Sequence, residues 1–353
     1  MGLQITWFII IAIFWTGFFV LEGFDLGVGA LHMVVGRTDT ERRVAINTIG
    51  PFWDANEVWL IVAGAAIFAA FPAWYATWFS ALYLALMLVL LALILRGVSF
   101  EFRGKVTSPK WRATWSWTLT VGSLLLPFLF GVAIGDLLQG LPIDSDGEYT
   151  GSFWDLLTPY GLWVGLTLLL LSVLHGAVFL VLRTTGIVYD RARRIAGPAA
   201  VAAALAVIVF AVWTQVVADA GVVPGPLETI AVLAILGAAW AVRDRNDGWA
   251  FTATCVAMAT TVGSIFVHLY PNVMVSSTSS ANNLTVEGTA SSSYSLTVMT
   301  VIAVIFFPLV LLYQGWSYYV FRARIRGPRS RAARVEATTT PSTTAPPAPS
   351  TPS

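Results

Sequence analysis

Charge is what this chain has least of. Of its 353 residues only 11% are Asp, Glu, Lys or Arg, against 57% hydrophobic. A soluble domain carries about a quarter charged residues. The deficit excludes an ordinary soluble domain and points to an integral membrane protein. The formal net charge is +1, which gives no reason to expect a nucleic-acid partner. Cysteine is nearly absent. Cys255 stands alone in an apolar run, so an intrachain disulfide is excluded and packing is its expected role. There is no Walker loop, dinucleotide fingerprint, HExxH or CxxC, which removes the usual soluble-enzyme chemistries. The opening MGLQITWFIIIAIFW lacks a basic n-region and a small-residue cleavage site, so it reads as a retained first span.

Long apolar runs are what is there. A bilayer core needs about 20 apolar residues as helix. Nine stretches approach or exceed that, at about 5–35, 51–71, 75–100, 113–139, 158–183, 197–218, 226–243, 249–269 and 295–321. The fold class is therefore an all-α polytopic membrane protein with about nine transmembrane helices. Basic residues mark the cytoplasmic loops. Arg37, Arg42 and Arg43 follow the first span; Arg103, Lys105, Lys110 and Arg112 follow the third. Arg191, Arg193 and Arg194 follow the fifth, and Arg243 and Arg245 the seventh. Arg322, Arg324 and Arg326 follow the last. The alternate loops carry acids instead, including Asp144, Asp146, Glu148 and Asp155. This places the N-terminus outside and the C-terminus in the cytoplasm, which requires an odd number of spans. Residues 1–325 form the transmembrane domain. The Pro/Thr/Ser-rich remainder, 326–353, is expected to be a disordered cytoplasmic tail. The polar outer segment SSTSSANNLTVEGTASSSYS reads equally as a solvated connector or a partner-docking surface.

Charges inside a bilayer are expensive and mark function. Here they cluster. Glu22 and Asp25 lie in VLEGFDLGVGAL, and Asp54 and Glu57 in PFWDANEVWL, each pair on one helix face by its spacing of three. Asp25 is twelve residues before Arg37 and Asp54 eleven after Arg43. At 1.5 Å per residue those are depths of about 18 and, at most, about 17 Å. The two pairs are thus expected at similar depth on neighbouring antiparallel helices, where carboxyls can relay protons. The competing reading is structural: the carboxylates accept local hydrogen bonds, and Asp54 stabilises a helix start. Gly23, Gly27 and Gly29 allow close helix approach. Arg96, near the inner end of the third span, either supports this site or snorkels to the interface. Gln139 and Gln314 read as interfacial. His32, His175 and His268 fall in different spans with no second ligand at matching spacing, which argues against a haem held by this chain.

The segments EGFDLGVGAL, GRTDTERRVAINTIGPFWDANEVWLIVAGAAIFAAFP, RGVSFEFRGK, GVAIGDLLQG and SLTVMTVIAVIFFPLVLLYQGW resemble, in order, subunit II of the cytochrome bd quinol oxidases. The similarity runs from Gly17 to Tyr319. It implies a fold of two four-helix bundles plus one peripheral helix. The first bundle covers about 1–140, and the second bundle with the last helix about 155–325. It implies a terminal oxidase that takes electrons from quinol, menaquinol or ubiquinol, and reduces oxygen to water with protons drawn from the cytoplasm. Haem b558, haem b595 and haem d are then expected in the partner, subunit I. Small accessory subunits and a bound lipid or quinone are compatible partners, and the bacterial cytoplasmic membrane is the implied location. Asp54, within the W-D-x-N motif with Trp53 and Asn56, matches the family's proton-path aspartate. Asp25 matches the aspartate of the G-F-D motif. Glu22 and Glu57 match positions where the family also shows Asp and Gln, so Glu57 is a helper rather than a required carrier. The alternative outside this family is a proton-coupled secondary transporter. The carboxylates are confined to the first half of the chain, however, without the paired broken helices that transporters use.

Overall fold

In a computed structural model, residues 2–326 are described, and the tail expected at 326–353 lies outside them apart from Arg326. Eleven helices are present among the described residues: α1 (Leu3–Val35), α2 (Asp39–Asn47), α3 (Trp53–Ala70), α4 (Pro72–Ala81), α5 (Tyr83–Phe102), α6 (Pro109–Gln139), α7 (Pro159–Arg183), α8 (Ile187–Val217), α9 (Pro226–Arg243), α10 (Asp247–Leu269) and α11 (Ser293–Val320). Nine of them, all but α2 and α4, are long and apolar enough to span a bilayer. The chain is a multi-pass membrane protein. Four short strands, β1 (Thr184–Thr185), β2 (Asn272–Met274), β3 (Leu284–Thr285) and β4 (Ile325–Arg326), tie helix ends together. β1 pairs with β4 in parallel and β2 with β3 antiparallel.

Local chemistry sets the boundaries. Thr38 and Glu41 form a reciprocal capping box that starts α2. Pro72, Pro109, Pro159 and Pro226 each open a helix, where a missing N–H costs nothing. Thr158 caps α7 and Ser292 caps α11 through their side chains.

Three expectations need correction. The stretch 75–100 is two helices, because α4 ends at Ala81 and α5 begins at Tyr83, with Leu82 (φ −85°, ψ 6°) between them. Trp74 and Trp78 anchor α4 inward: they stack on each other, and Trp78 packs edge-on against Trp15. α5 instead runs away with an exposed apolar face that includes Tyr83, Met87 and Leu91. The sixth span begins at Ile187 rather than 197, since Pro198 lies within α8. Arg191, Arg193 and Arg194 therefore sit on helix, not loop. The segment 48–52 is a turn, so Asp54 lies in the first turn of α3 and the straight-helix depth from Arg43 does not apply.

α1 is the central post. It packs against α3, α6, α7 and α10. Glycine permits this approach. A Cβ on Gly27 would lie 1.9 Å from the Ser172 carbonyl oxygen, and one on Gly176 would lie 2.3 Å from the Gly27 backbone. The α6–α7 seam repeats the device with Gly131 facing Gly165 and Gly135 facing Gly161. The polar segment near 276–285 is a packed cap, not a loose connector. Ser276, Thr278 and Asn282 side chains all donate to the Ile143 carbonyl.

Candidate functional site

Three neighbouring helices bring the predicted polar residues together. Glu22 and Asp25 on α1 are buried, at 1% and 0% exposure. Asn56 on α3 and Arg96 on α5 are buried completely. Arg96 Nη2 lies 2.6 Å from Glu22 Oε1, and Nη1 donates to Glu57 Oε2 at 3.1 Å. One guanidinium thus bridges two carboxylates from two helices. Arg96 does not snorkel: its charge is consumed inside the protein. Its guanidinium also lies over the Phe100 ring, 5.3 Å from the centroid, and Phe100 stacks on Trp53 at 4.6 Å. Trp53 thus backs the phenyl ring over which the arginine lies.

Asn56 is the second hub. Its Nδ2 donates to Asp25 Oδ2 at 2.7 Å and to the Leu21 carbonyl at 3.2 Å. Its Oδ1 accepts from Gln314 Nε2 and from the Tyr318 hydroxyl, both at 2.9 Å. Trp59 Nε1 completes the chain by donating to Gln314 Oε1 at 3.1 Å. Gln314 is not interfacial. It is a buried link between α11 and the carboxylates, and Tyr318, one turn on, shares its face. Sequence reasoning missed Tyr318. The available signal was a Gln and a Tyr four residues apart at the end of an otherwise apolar helix.

Asn56, not Asp54, meets Asp25. Residues 54 and 56 differ by about 200° around a helix of 3.6 residues per turn, so they face opposite ways. Asp54 is exposed, with no hydrogen bond or ion pair among the described residues, in the helix's first turn. There the positive end of the helix dipole favours a carboxylate. Glu57 lies about 60° from it, so the α3 surface leads from Asp54 through half-buried Glu57 to Arg96.

The site holds three carboxyls, Glu22, Asp25 and Glu57, against one guanidinium. Arg96 Nε and Asp25 Oδ1 are buried without a protein partner among the described residues. Such atoms suit water, which joins polar groups in polar cavities.

Each histidine is hydrogen-bonded within the protein. His175 Nδ1 meets Thr254 Oγ1 at 2.7 Å, its Nε2 meets the Val20 carbonyl at 3.1 Å, and Phe251 stacks on the ring at 4.7 Å. His268 is held between Gln215 and Glu228. His32 Nδ1 lies 2.6 Å from the Gly29 carbonyl. Two apolar cavities, of about 490 and 400 Å³, have no histidine in their walls. No cluster of three or more His, Cys, Asp or Glu suited to a metal ion occurs among the described residues.

Known proteins share this sequence and fold. The family model described as cytochrome bd terminal oxidase subunit II matches residues 3–321. The Bacillus subtilis (strain 168) protein "Cytochrome bd ubiquinol oxidase subunit 2" is 46% identical over 323 residues, covering 90% of this chain and 96% of the relative. The Escherichia coli (strain K12) protein "Cytochrome bd-I ubiquinol oxidase subunit 2" is 36% identical over 360 residues, covering 92% and 95%. A chain from the structure of bd oxidase of Geobacillus thermodenitrificans superposes with a TM-score of 0.67 over 91% of this chain and 97% of that one. Its 16% identity makes it evidence for the fold alone. With nearly its whole length matched, the chain belongs to the subunit II family of cytochrome bd terminal oxidases.

Proposed function

We propose that this chain is the non-haem subunit of a bacterial quinol:oxygen oxidoreductase and carries a proton path toward the oxygen-reducing haem site of its partner, subunit I. The observation that carries this reading is the buried set Glu22–Arg96–Glu57 with Asp25–Asn56–Gln314, connected to the surface through Glu57 and Asp54. Only carboxyls and a phenol there can give and take a proton. Asn56 and Gln314 orient them, and Arg96 offsets part of their charge. Charged groups within a bilayer cost at least about 2.5–3.5 kcal/mol each, so three carboxyls gathered around one cation need a use. The basic loops put the α2 side in the cytoplasm, which makes Asp54 the proposed entry carrier, with Asp25 and Glu22 as inner stations.

α3, α5 and α11 bury little of their surface within the chain. They offer subunit I a broad apolar face, beside which Asp54 is exposed. The haems, two of b type and one of d type, and the quinol site are assigned to that partner. When bound there, the haems supply electron transfer and oxygen reduction. This chain's residues bind the partner, hold protons and exclude bulk water. The two halves, about 1–140 and 155–325, correspond to the proposed bundles, with α11 as the peripheral helix. A secondary transporter does not fit a family match across residues 3–321.

The test is turnover of the purified two-subunit oxidase carrying Asp54→Asn or Asp25→Asn. A relay requires normal haem spectra and lowered oxygen consumption with quinol. Unchanged turnover in both variants removes the relay and leaves the cluster a structural one.

A further inference from the structure

Away from this site, α8 and α9 part at the end where α8 begins and α9 finishes. The crevice between them has a volume of about 910 Å³. Its rim is basic. Arg193 and Arg194 come from α8, and Arg243 and Arg245 from the end of α9 and the turn after it. Arg193 is already engaged: it donates to Asp247 Oδ1 at 2.7 Å and to the Val242 carbonyl at 3.0 Å, which fixes one wall. Arg194, Arg243 and Arg245 are exposed and form no ion pair with any described residue, and Asp190 is the one acid in the lining. The floor is apolar. Val201 and Trp240 are 60% and 63% exposed, and a Cβ on Gly197 would meet no atom within 4 Å.

A slot with cations at the membrane boundary and an open apolar floor along the bilayer matches one ligand chemistry. We infer that this crevice seats an anionic phospholipid of the adjoining leaflet, its phosphate among Arg194, Arg243 and Arg245 and an acyl chain along Gly197, Val201 and Trp240. Basic pockets between transmembrane helices bind acidic headgroups in this way. The exposed Trp240 is the residue type that settles at the headgroup level. None of the three arginines forms an ion pair with a described residue, whereas the neighbouring Arg191 and Arg193 are both paired to carboxylates. The inference is independent of the proton path.

The test uses the intact purified oxidase, delipidated and titrated with phosphatidylglycerol or phosphatidylcholine, with bound lipid read by native mass spectrometry. Wild type is expected to retain phosphatidylglycerol selectively. The triple variant R194Q/R243Q/R245Q is expected to lose on the order of a hundredfold in its affinity, at about a factor of five per arginine. Gly197→Phe, which keeps every arginine but fills the slot, should also release the lipid. Both variants should keep normal haem spectra, since none of these residues packs in the core. Equal retention of the two lipids by wild type overturns the inference, as does wild-type phosphatidylglycerol binding by the triple variant. Loss in the triple variant with full retention by Gly197→Phe also overturns it, because charge alone, without a seat, would then explain the attraction.

Discussion

Arg96 Nη2 and Glu22 Oε1 stand 2.6 Å apart with both side chains sealed from solvent. The same arginine reaches Glu57 at 3.1 Å. Removing it would strand two carboxylates in a low-dielectric interior. Arg96→Leu is therefore expected to destabilise the subunit by about 3–5 kcal/mol, enough to abolish recovery of the complex. Arg96→Lys should rescue partly, because an ammonium cannot span both carboxylates as a planar fork does. Yield of haem-loaded complex from membranes is the measurement, and equal yields for Leu and wild type would disprove the role.

Asn56→Leu removes one partner from each of Asp25, Gln314 and Tyr318. A buried group left unsatisfied costs about 1–3 kcal/mol. The expected result is a clear drop in thermal stability together with lowered turnover, since Asp25 loses the donor that orients it. A melt followed by haem absorbance would show the first effect and an oxygen electrode the second.

Asp54→Asn and Asp25→Asn should behave differently in stability. Asp54 is exposed and makes no described contact, so its variant should melt within about 0.5 kcal/mol of wild type. Asp25→Asn keeps the shape but leaves one acceptor oxygen where there were two and adds a buried N–H pair that needs acceptors, so it should lower the melting temperature. Matching melts for the two would contradict the burial difference.

Gly27→Leu should separate α1 from α7. A side chain there enters the Ser172 carbonyl, which is backbone and cannot yield cheaply. Even modest overpacking costs about 1–3 kcal/mol, and this clash is larger. Gly197→Leu, where a Cβ meets open space, is the control and should express normally.

A pH dependence is expected at α2, outside the spans. Burial pulls the Glu41 carboxyl upward, but hydrogen bonds from the Arg191 guanidinium and the Arg37 and Thr38 amides outweigh it and hold the group below its ordinary value of 4.5. A depressed native value means stabilisation that is present above the unfolded value and lost as pH falls through the folded one. Glu41→Gln should thus lower stability at neutral pH, and the gap from wild type should close below pH 4.5. A gap that widened on acidification would reverse the sign and refute the assignment.

Hydropathy along the chain is enough to fix the class of the molecule. Long apolar runs cannot fold as anything but spans, and α9 begins and ends where hydropathy and its proline and arginine put it. Spacing also placed Glu22 with Asp25 on one face of α1, because a helix has a fixed period. Which face meets which neighbour depends instead on how the helices pack. Periodicity says that Asp54 and Asn56 point opposite ways but not which one turns inward. Packing turned Asn56 toward Asp25 and left Asp54 outside. Arg96 could have reached water or carboxylates by its length alone, and α1 and α3 supplied the carboxylates. Gln314 and Tyr318 are more than 250 residues from Asn56 in the chain. Their junction depends on where α11 docks, and no local pattern encodes that.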